Sequence, residues 1–313
     1  MGPSTIFTAG FHSPRRSVLA AGLAVAVLAT GCSNAEESAV PKTTEPAGPA
    51  AGEATGRTTA QAQSADNSVL SSAAMNSGDI EKLVPKVLAT HPFSPESFTQ
   101  GLEFDDDGSL LVGTGQWGQS RIYRANLADH SIAEHAELAD EFFGEGITRS
   151  GDIIWQLTWQ AGEAIARDPH TLAETTRVHY DGEGWGICAR EGELLVSDGS
   201  DTISKRDPVT FAPRAGEELR VTAAGTPVGK INELECVGDD VYANIFLSDE
   251  ILRFSAETGE VDAVIDASGL ENNATADPNH VLNGIAFQDS TGHFFVTGKR
   301  WPDLYEVEFV PAG

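Results

Sequence analysis

"GEGITRSGDIIWQLTWQAGEAIARDP", residues 144–169, divides into three short apolar runs separated by turn residues. Ile147 heads the first run, "DIIWQLTW" is the second, and "EAIARD" is the third, ending in the turn pair Asp168-Pro169. Runs of this length, punctuated by Gly, Asp and Pro, are strand signals. The theme of the first run recurs as "TQGLEF" (99–104), "GWGICA" (184–189), "INELEC" (231–236) and "LNGIAF" (282–287). The shared apolar positions, Leu102, Ile147, Ile187, Leu234 and Ile285, lie 45, 40, 47 and 51 residues apart. After each comes a second run ("SLLVGTG", "ELLVSDG", "DVYANIF", "HFFVTGK") and a third ("SRIYRAN", "DTISKRD", "EILRFS", "DLYEVEF").

Four-stranded repeats at about 40–50 residues predict a β-propeller, and five repeats predict five blades. A β-sandwich has no reason to repeat one theme. The fifth repeat runs out near Phe309 after three strands. The segment "KLVPKVLATH" (82–91), ahead of the first repeat, is predicted to supply the missing outer strand, with Val84, Val87 and Leu88 joining the sheet. Such closure removes an exposed edge. The fold class is thus all-β, a five-bladed β-propeller over residues 81–313 whose last blade is closed by an N-terminal strand.

The residues ahead of it read differently. Arg15 and Arg16 precede the apolar run "VLAAGLAVAVLAT" (18–30), too short to span a bilayer but suited to a signal-peptide core. "LATGC" resembles a bacterial lipobox, which makes residues 1–31 a lipoprotein signal peptide and Cys32 the lipidated residue; export by the general or the twin-arginine route stays open. Residues 32–80, rich in Ala, Ser, Thr, Glu, Pro and Gly, are expected to be a disordered tether. The expected location is therefore outside the cytoplasm, with membrane contact only through lipid on Cys32.

Charge and cysteines narrow the partners. Formal net charge is −27, from 47 acidic and 20 basic side chains, and nearly all of it falls in residues 97–313. That surface repels nucleic-acid phosphates and anionic lipid, so no nucleic-acid partner is expected. With Cys32 lipidated, Cys188 and Cys236 remain. They lie one step out of register on neighbouring inner strands, facing each other or directly apart, so a disulfide stays open.

In a propeller, equivalent positions of the innermost strands ring a channel mouth. Two residues before each shared Leu or Ile stand Gln100, Glu145, Trp185, Asn232 and Asn283, with Phe98, Phe143 and Glu233 beside them. The second runs end in Trp159, Phe246 and Lys299. Asn283 is expected merely to solvate the channel. Glu145, between Gly144 and Gly146, is expected to carry chemistry: desolvation by aromatic neighbours would raise its pKa, direct pairing with Lys299 would lower it, and the glycines would let a substrate approach. No Gly-rich phosphate loop, nucleophile elbow or zinc spacing is present, and "DDDG" (105–108) reads as a hairpin turn rather than a calcium loop.

The motifs "SFTQGLEF", "FFGEGIT", "QLTW", "GEGWGI", "INELE", "ANIF", "LNGIA" and "VTGKRWPDLYEVE", in this order over residues 88–309, resemble the plant and bacterial type of glutaminyl-peptide cyclotransferase. The resemblance implies a five-bladed propeller that converts N-terminal glutamine of peptides or proteins to pyroglutamate and releases ammonia, with no cofactor and no metal. It implies catalytic roles for Glu145, Lys299 and Asn232. Substrate-binding walls would come from Phe98, Gln100, Phe143, Trp159, Trp185 and Phe246. One departure stands out: the family commonly has tryptophan where "ANIFLSD" places Phe246, so an indole N–H donor is missing. Two rival readings are a calcium-dependent propeller hydrolase or lactonase, and a non-enzymatic propeller that binds partners at the cell surface. Calcium prefers several carboxylates, whereas this ring has one glutamate and a lysine.

Overall fold

In the computed structural model Leu70 and residues 80–313 are described. The expected signal peptide at residues 1–31, lipidation at Cys32, and the tether over 32–80 apart from Leu70 and Ile80 lie outside the described residues.

Every regular element among the described residues is a strand. After β1 (Glu81–Pro92), the first sheet is β2 (Thr99–Phe104), β3 (Leu110–Thr114), β4 (Arg121–Ala125) and β5 (Ile132–Glu137). The second is β6 (Gly144–Ser150), β7 (Ile153–Thr158), β8 (Glu163–Arg167) and β9 (Glu174–His179). The third is β10 (Ile187–Arg190), β11 (Glu193–Val196), β12 (Thr202–Arg206) and β13 (Leu219–Arg220), followed by a small hairpin, β14 (Thr222–Ala223) and β15 (Thr226–Pro227), that the repeat pattern gave no hint of. Then come β16 (Ile231–Val237), β17 (Asp240–Ile245), β18 (Glu250–Ser255), β19 (Val261–Asp266), β20 (Leu282–Gln288), β21 (His293–Gly298) and β22 (Asp303–Pro311). Along each of the three four-stranded sheets the strand order is the order in the chain, as antiparallel meanders require.

The recurring first runs form the inner strands. β2 packs on β6, β6 on β10, β10 on β16, β16 on β20, and β20 returns to β2. Apolar clusters fill the spaces between consecutive sheets: Leu111, Ile122, Ile147 and Ile154 between the first and second, Trp155, Leu157, Ile187 and Val196 between the second and third. Leu102, Val112, Ala286 and Phe295 join the last sheet to the first. The middle strands are covered on both faces, so β3 is buried throughout and its sequence "LLVGT" shows no alternation. The outermost β5 and β9 are largely exposed and carry the charges that guard an edge.

β1 pairs antiparallel with β22 from Leu83↔Pro311 to Pro92↔Asp303, completing the last sheet as expected. It does more. Glu81, Lys82 and Leu83 also run parallel to Ala263, Val264 and Ile265 of β19, joining two meanders into one eight-stranded sheet. The apolar residues that matter differ from expectation: Leu83 is 5% exposed, whereas Val87 and Leu88, next to the bulge at Val87/Ala89, are 46% and 38% exposed. Leu70, inside the stretch expected to be a tether, is buried with Leu219, Val221, Ala223 and Val228. Cys188 of β10 and Cys236 of β16 face each other and form a disulfide with Cα atoms 5.5 Å apart. The "DDDG" stretch is a hairpin turn with Gly108 at φ 81°, and its first residue, Asp105, is buried between the guanidinium groups of Arg124 and Arg149.

Candidate active site

One irregularity builds the mouth. The pairing of inner with second strands shifts between Thr99 and Gly101, Gly144 and Ile147, Ile231 and Leu234, and Leu282 and Ile285. Gln100, Glu145, Asn232 and Asn283 sit inside these shifts, where a bulge re-aims side chains away from the ladder. In the third sheet the strand starts only at Ile187, leaving Trp185 ahead of it. A cavity of ≈ 190 Å³ opens here, lined by Phe98, Gln100, Phe143, Glu145, Trp159, Trp185, Asn232, Phe246 and Lys299, together with Asn279. All nine residues expected at the site thus meet in one place.

Amides hold the floor in a chain of hydrogen bonds. Asn232 Nδ2 donates to Asn283 Oδ1 at 2.7 Å, and Asn283 Nδ2 donates to Gln100 Oε1 at 3.3 Å and to the Thr99 carbonyl at 3.0 Å. Gln100 Nε2 then donates to Glu145 Oε1 at 2.9 Å. Asn283 therefore does not solvate a channel; it is fully buried and fixes which way both amides beside it point.

Aromatic rings make the walls. Phe143 packs edge-on against Phe98 (6.2 Å between centroids) and Trp159 (5.7 Å), while Trp185 does so against Phe246 (5.5 Å). Lys299 Nζ lies 5.1 Å from the Phe98 ring centre and 5.3 Å from that of Phe246, a cation–π placement on both sides. Burial holds the Lys299 ammonium down at about 8, against the opposing pull of Glu145. Burial pushes Glu145 well above the usual carboxylate range; the Lys299 charge and the Gln100 hydrogen bond oppose that rise without cancelling it, and Glu183 adds to it. Of the two opposed expectations for Glu145, desolvation wins.

The glycines beside Glu145 do something other than expected. A Cβ on Gly144 would stand 2.6 Å from the Thr114 carbonyl oxygen, and one on Gly146 2.7 Å from that of Trp185. Gly146 N–H donates to the Trp185 carbonyl at 2.8 Å. The bare backbone admits neighbouring sheets, not substrate. Glu233 does not line the cavity either; it lies below, accepting from the N–H groups of Leu102 and Ile285. Three residues escaped the repeat alignment. Asn279 comes from the loop before β20. Trp117, 50% exposed, extends the wall outward against Phe143. Glu183 accepts hydrogen bonds from both wall indoles. The signal for Glu183 was legible, since "GEG" at 182–184 repeats the Gly-Glu-Gly of 144–146.

The family model for glutamine cyclotransferase matches residues 58–309. A glutaminyl-peptide cyclotransferase of Arabidopsis thaliana is 31% identical over 231 residues, covering 72% of this chain and 72% of that protein. The crystal structure of Myxococcus xanthus glutaminyl cyclase superposes with a TM-score of 0.70 at 33% identity, covering 75% of this chain and all of that one. With the match reaching every strand and covering every residue of the cavity, the chain belongs to the glutamine cyclotransferase family.

Proposed function

We propose that the protein is a glutaminyl-peptide cyclotransferase: it converts an N-terminal glutamine of a peptide or protein to pyroglutamate and releases ammonia. The observation that carries this reading is one carboxyl group, Glu145, 5% exposed at the floor of an aromatic cavity and held by an amide chain. The rings bend the glutamine side chain back on its own amine, so that nucleophile and carbonyl meet without a bimolecular encounter. The neutral α-amine attacks the γ-carboxamide carbon, forming the ring C–N bond. Glu145 takes the proton released by that nitrogen and returns it to the departing NH2, and the old C–N bond breaks to leave a lactam and ammonia. A carboxyl group raised by burial binds that proton readily near neutral pH. Lys299 and Asn232 polarise the carboxamide oxygen and stabilise its developing negative charge.

The ring of inner strands and the apolar filling between consecutive sheets support a five-bladed propeller with β1 completing the last blade. The apolar run before Cys32 supports export and a lipid anchor, and the Cys188–Cys236 bond fits an oxidising compartment. On this reading residues 32–80 link the lipid anchor to the catalytic domain, with Leu70 packed against that domain. Mass spectrometry of a Gln-initiated peptide incubated with the purified protein tests the activity. Loss of one ammonia from that peptide, and not from its Asn-initiated counterpart, is the expected result. An unchanged mass would refute the assignment.

A further inference from the structure

Glu183 lies in the loop between β9 and β10, outside the cavity lining. One of its oxygens, Oε2, accepts the indole N–H of Trp159 at 2.8 Å and that of Trp185 at 3.0 Å. The other, Oε1, accepts from Gln160 Nε2 at 3.2 Å. Trp159 follows β7 of the second sheet and Trp185 precedes β10 of the third, so this single carboxylate ties walls contributed by two different sheets. The Gly184 N–H, donating to the Trp159 carbonyl at 3.2 Å, fastens the same loop to the same wall. We infer that Glu183 is a positioning residue of the active site: its carboxylate fixes the two indoles as one wall and keeps a negative charge behind them.

Two physical points support this. An indole N–H beside an apolar cavity needs a partner, and a ring whose donor is unmet is free to turn. Burial pushes Glu183 up, but the hydrogen bonds from Trp185, Trp159 and Gln160 outweigh it and hold the group below its ordinary value, so it stays ionised across the working pH range. The charged and titratable groups around Glu145 are then Lys299, which favours its ionised form, Glu183, which opposes it, and Tyr180, whose phenol donates to the Thr158 carbonyl and is held neutral by burial. Gln100 adds an uncharged hydrogen bond.

The charge half of the inference rests on Glu145 as the proton carrier; the orientation half does not. Two full-length variants separate them. Glu183→Gln keeps an oxygen for both indoles and loses the charge. KM should stay within about twofold, while the acid limb of the kcat–pH profile moves down by about one unit, because a nearby negative charge no longer raises the proton affinity of Glu145. Glu183→Ala loses both. KM should rise about tenfold, the scale of one or two missing hydrogen bonds, with a smaller change in kcat, and the indole N–H resonances of Trp159 and Trp185 should shift in proton–nitrogen NMR spectra. Unmoved indole resonances and an unchanged KM in Glu183→Ala overturn the orientation role. An unmoved acid limb in Glu183→Gln overturns the charge role. If Glu145→Gln proves active, the proton-carrier reading fails, yet the indole resonances and KM of Glu183→Ala still decide the clamp.

Discussion

Glu145 and Lys299 show how burial, rather than pairing, sets the chemistry of a residue. Each is pushed toward its neutral form by desolvation, and each opposes that push in the other. Glu145→Gln keeps the size and the acceptor for Gln100 Nε2 but cannot carry a proton. Turnover is expected to fall by about 10²–10⁴, with substrate affinity little changed because the rings and amides remain. Folding should suffer little, since the variant keeps an acceptor for Gln100, and Lys299, held at about 8 by burial, can give up its proton once the opposing charge is gone. Steady-state kinetics and a melting curve check both parts; near-native cyclisation by the variant would hand the shuttle to another group. Lys299→Met should also slow turnover, through loss of electrostatic stabilisation at the carboxamide oxygen. The identities of these residues were legible because repeat alignment places them at equivalent strand positions. What sequence could not give was the direction of contacts across sheets. Gly144 and Gly146 read as room for substrate, but the backbone of Thr114 and Trp185 fills that room. Asn283 read as solvated because nothing in "LNGIA" reveals that its amide bridges Asn232 and Gln100.

At the scale of the element, the inner strands share one problem. Their inward edges have no neighbouring strand, so backbone N–H groups there need side-chain acceptors. Glu233 serves Leu102 and Ile285, Glu235 serves Phe287, Glu103 serves Arg149, and Asn244 serves Gly284. These pairings join residues up to 131 positions apart and leave no local trace in the sequence. The strands themselves were legible through the repeat, and so was β1 as the closing strand; its parallel pairing to β19 was not, because Glu81–Leu83 carries no mark of a second partner. Removing residues up to 79 loses the burial of Leu70, a cost of about 1.5–3 kcal/mol. Removing residues up to Pro92 strips the partners of both β19 and β22 and buries nothing in exchange. The longer truncation should melt far lower, or not fold, and equal melting temperatures would refute closure by β1. A second element-scale device is the Cys188–Cys236 bond between β10 and β16, 48 residues apart in sequence. Its reduction should cost about 2–4 kcal/mol of stability while leaving room-temperature activity intact. Melting with and without reductant checks this, with a Cys188→Ser, Cys236→Ser double variant expected to be insensitive to reductant.

For the whole molecule, those acceptors have a collective consequence. Burial pushes Glu103 up to about 8, with its hydrogen bonds to Arg149 and Thr148 opposing. Burial likewise raises Glu233 and Glu235, and their mutual repulsion with Glu103 adds to it. A carboxyl whose folded pKa lies above its unfolded value contributes stability that is complete below the unfolded value of about 4.5 and is lost as pH rises through the folded one. Self-repulsion of a chain carrying a net charge of −27 acts in the same direction as pH climbs. The opposite limb belongs to carboxylates held low, among them Glu306, which burial pushes up but hydrogen bonds from His293 and His91 hold down, and Glu183; they weaken the fold only as pH falls through the ordinary carboxylate range. Stability should therefore decline from about pH 5 upward, with the Glu103 contribution falling steadily between its unfolded value of 4.5 and its folded value of about 8 and levelling off above that, where Glu103 is ionised in both states. Glu103→Gln keeps an oxygen to accept the Arg149 N–H and removes one of these ionisations. Its melting temperature should match the unaltered protein at pH 5 and exceed it at pH 9, by a difference on the order of a few kcal/mol in unfolding free energy. The measurement is a series of melting curves for both proteins across that range. Parallel curves would show that Glu103 titrates alike in the folded and unfolded chains, and the alkaline weakness would then belong to surface charge alone.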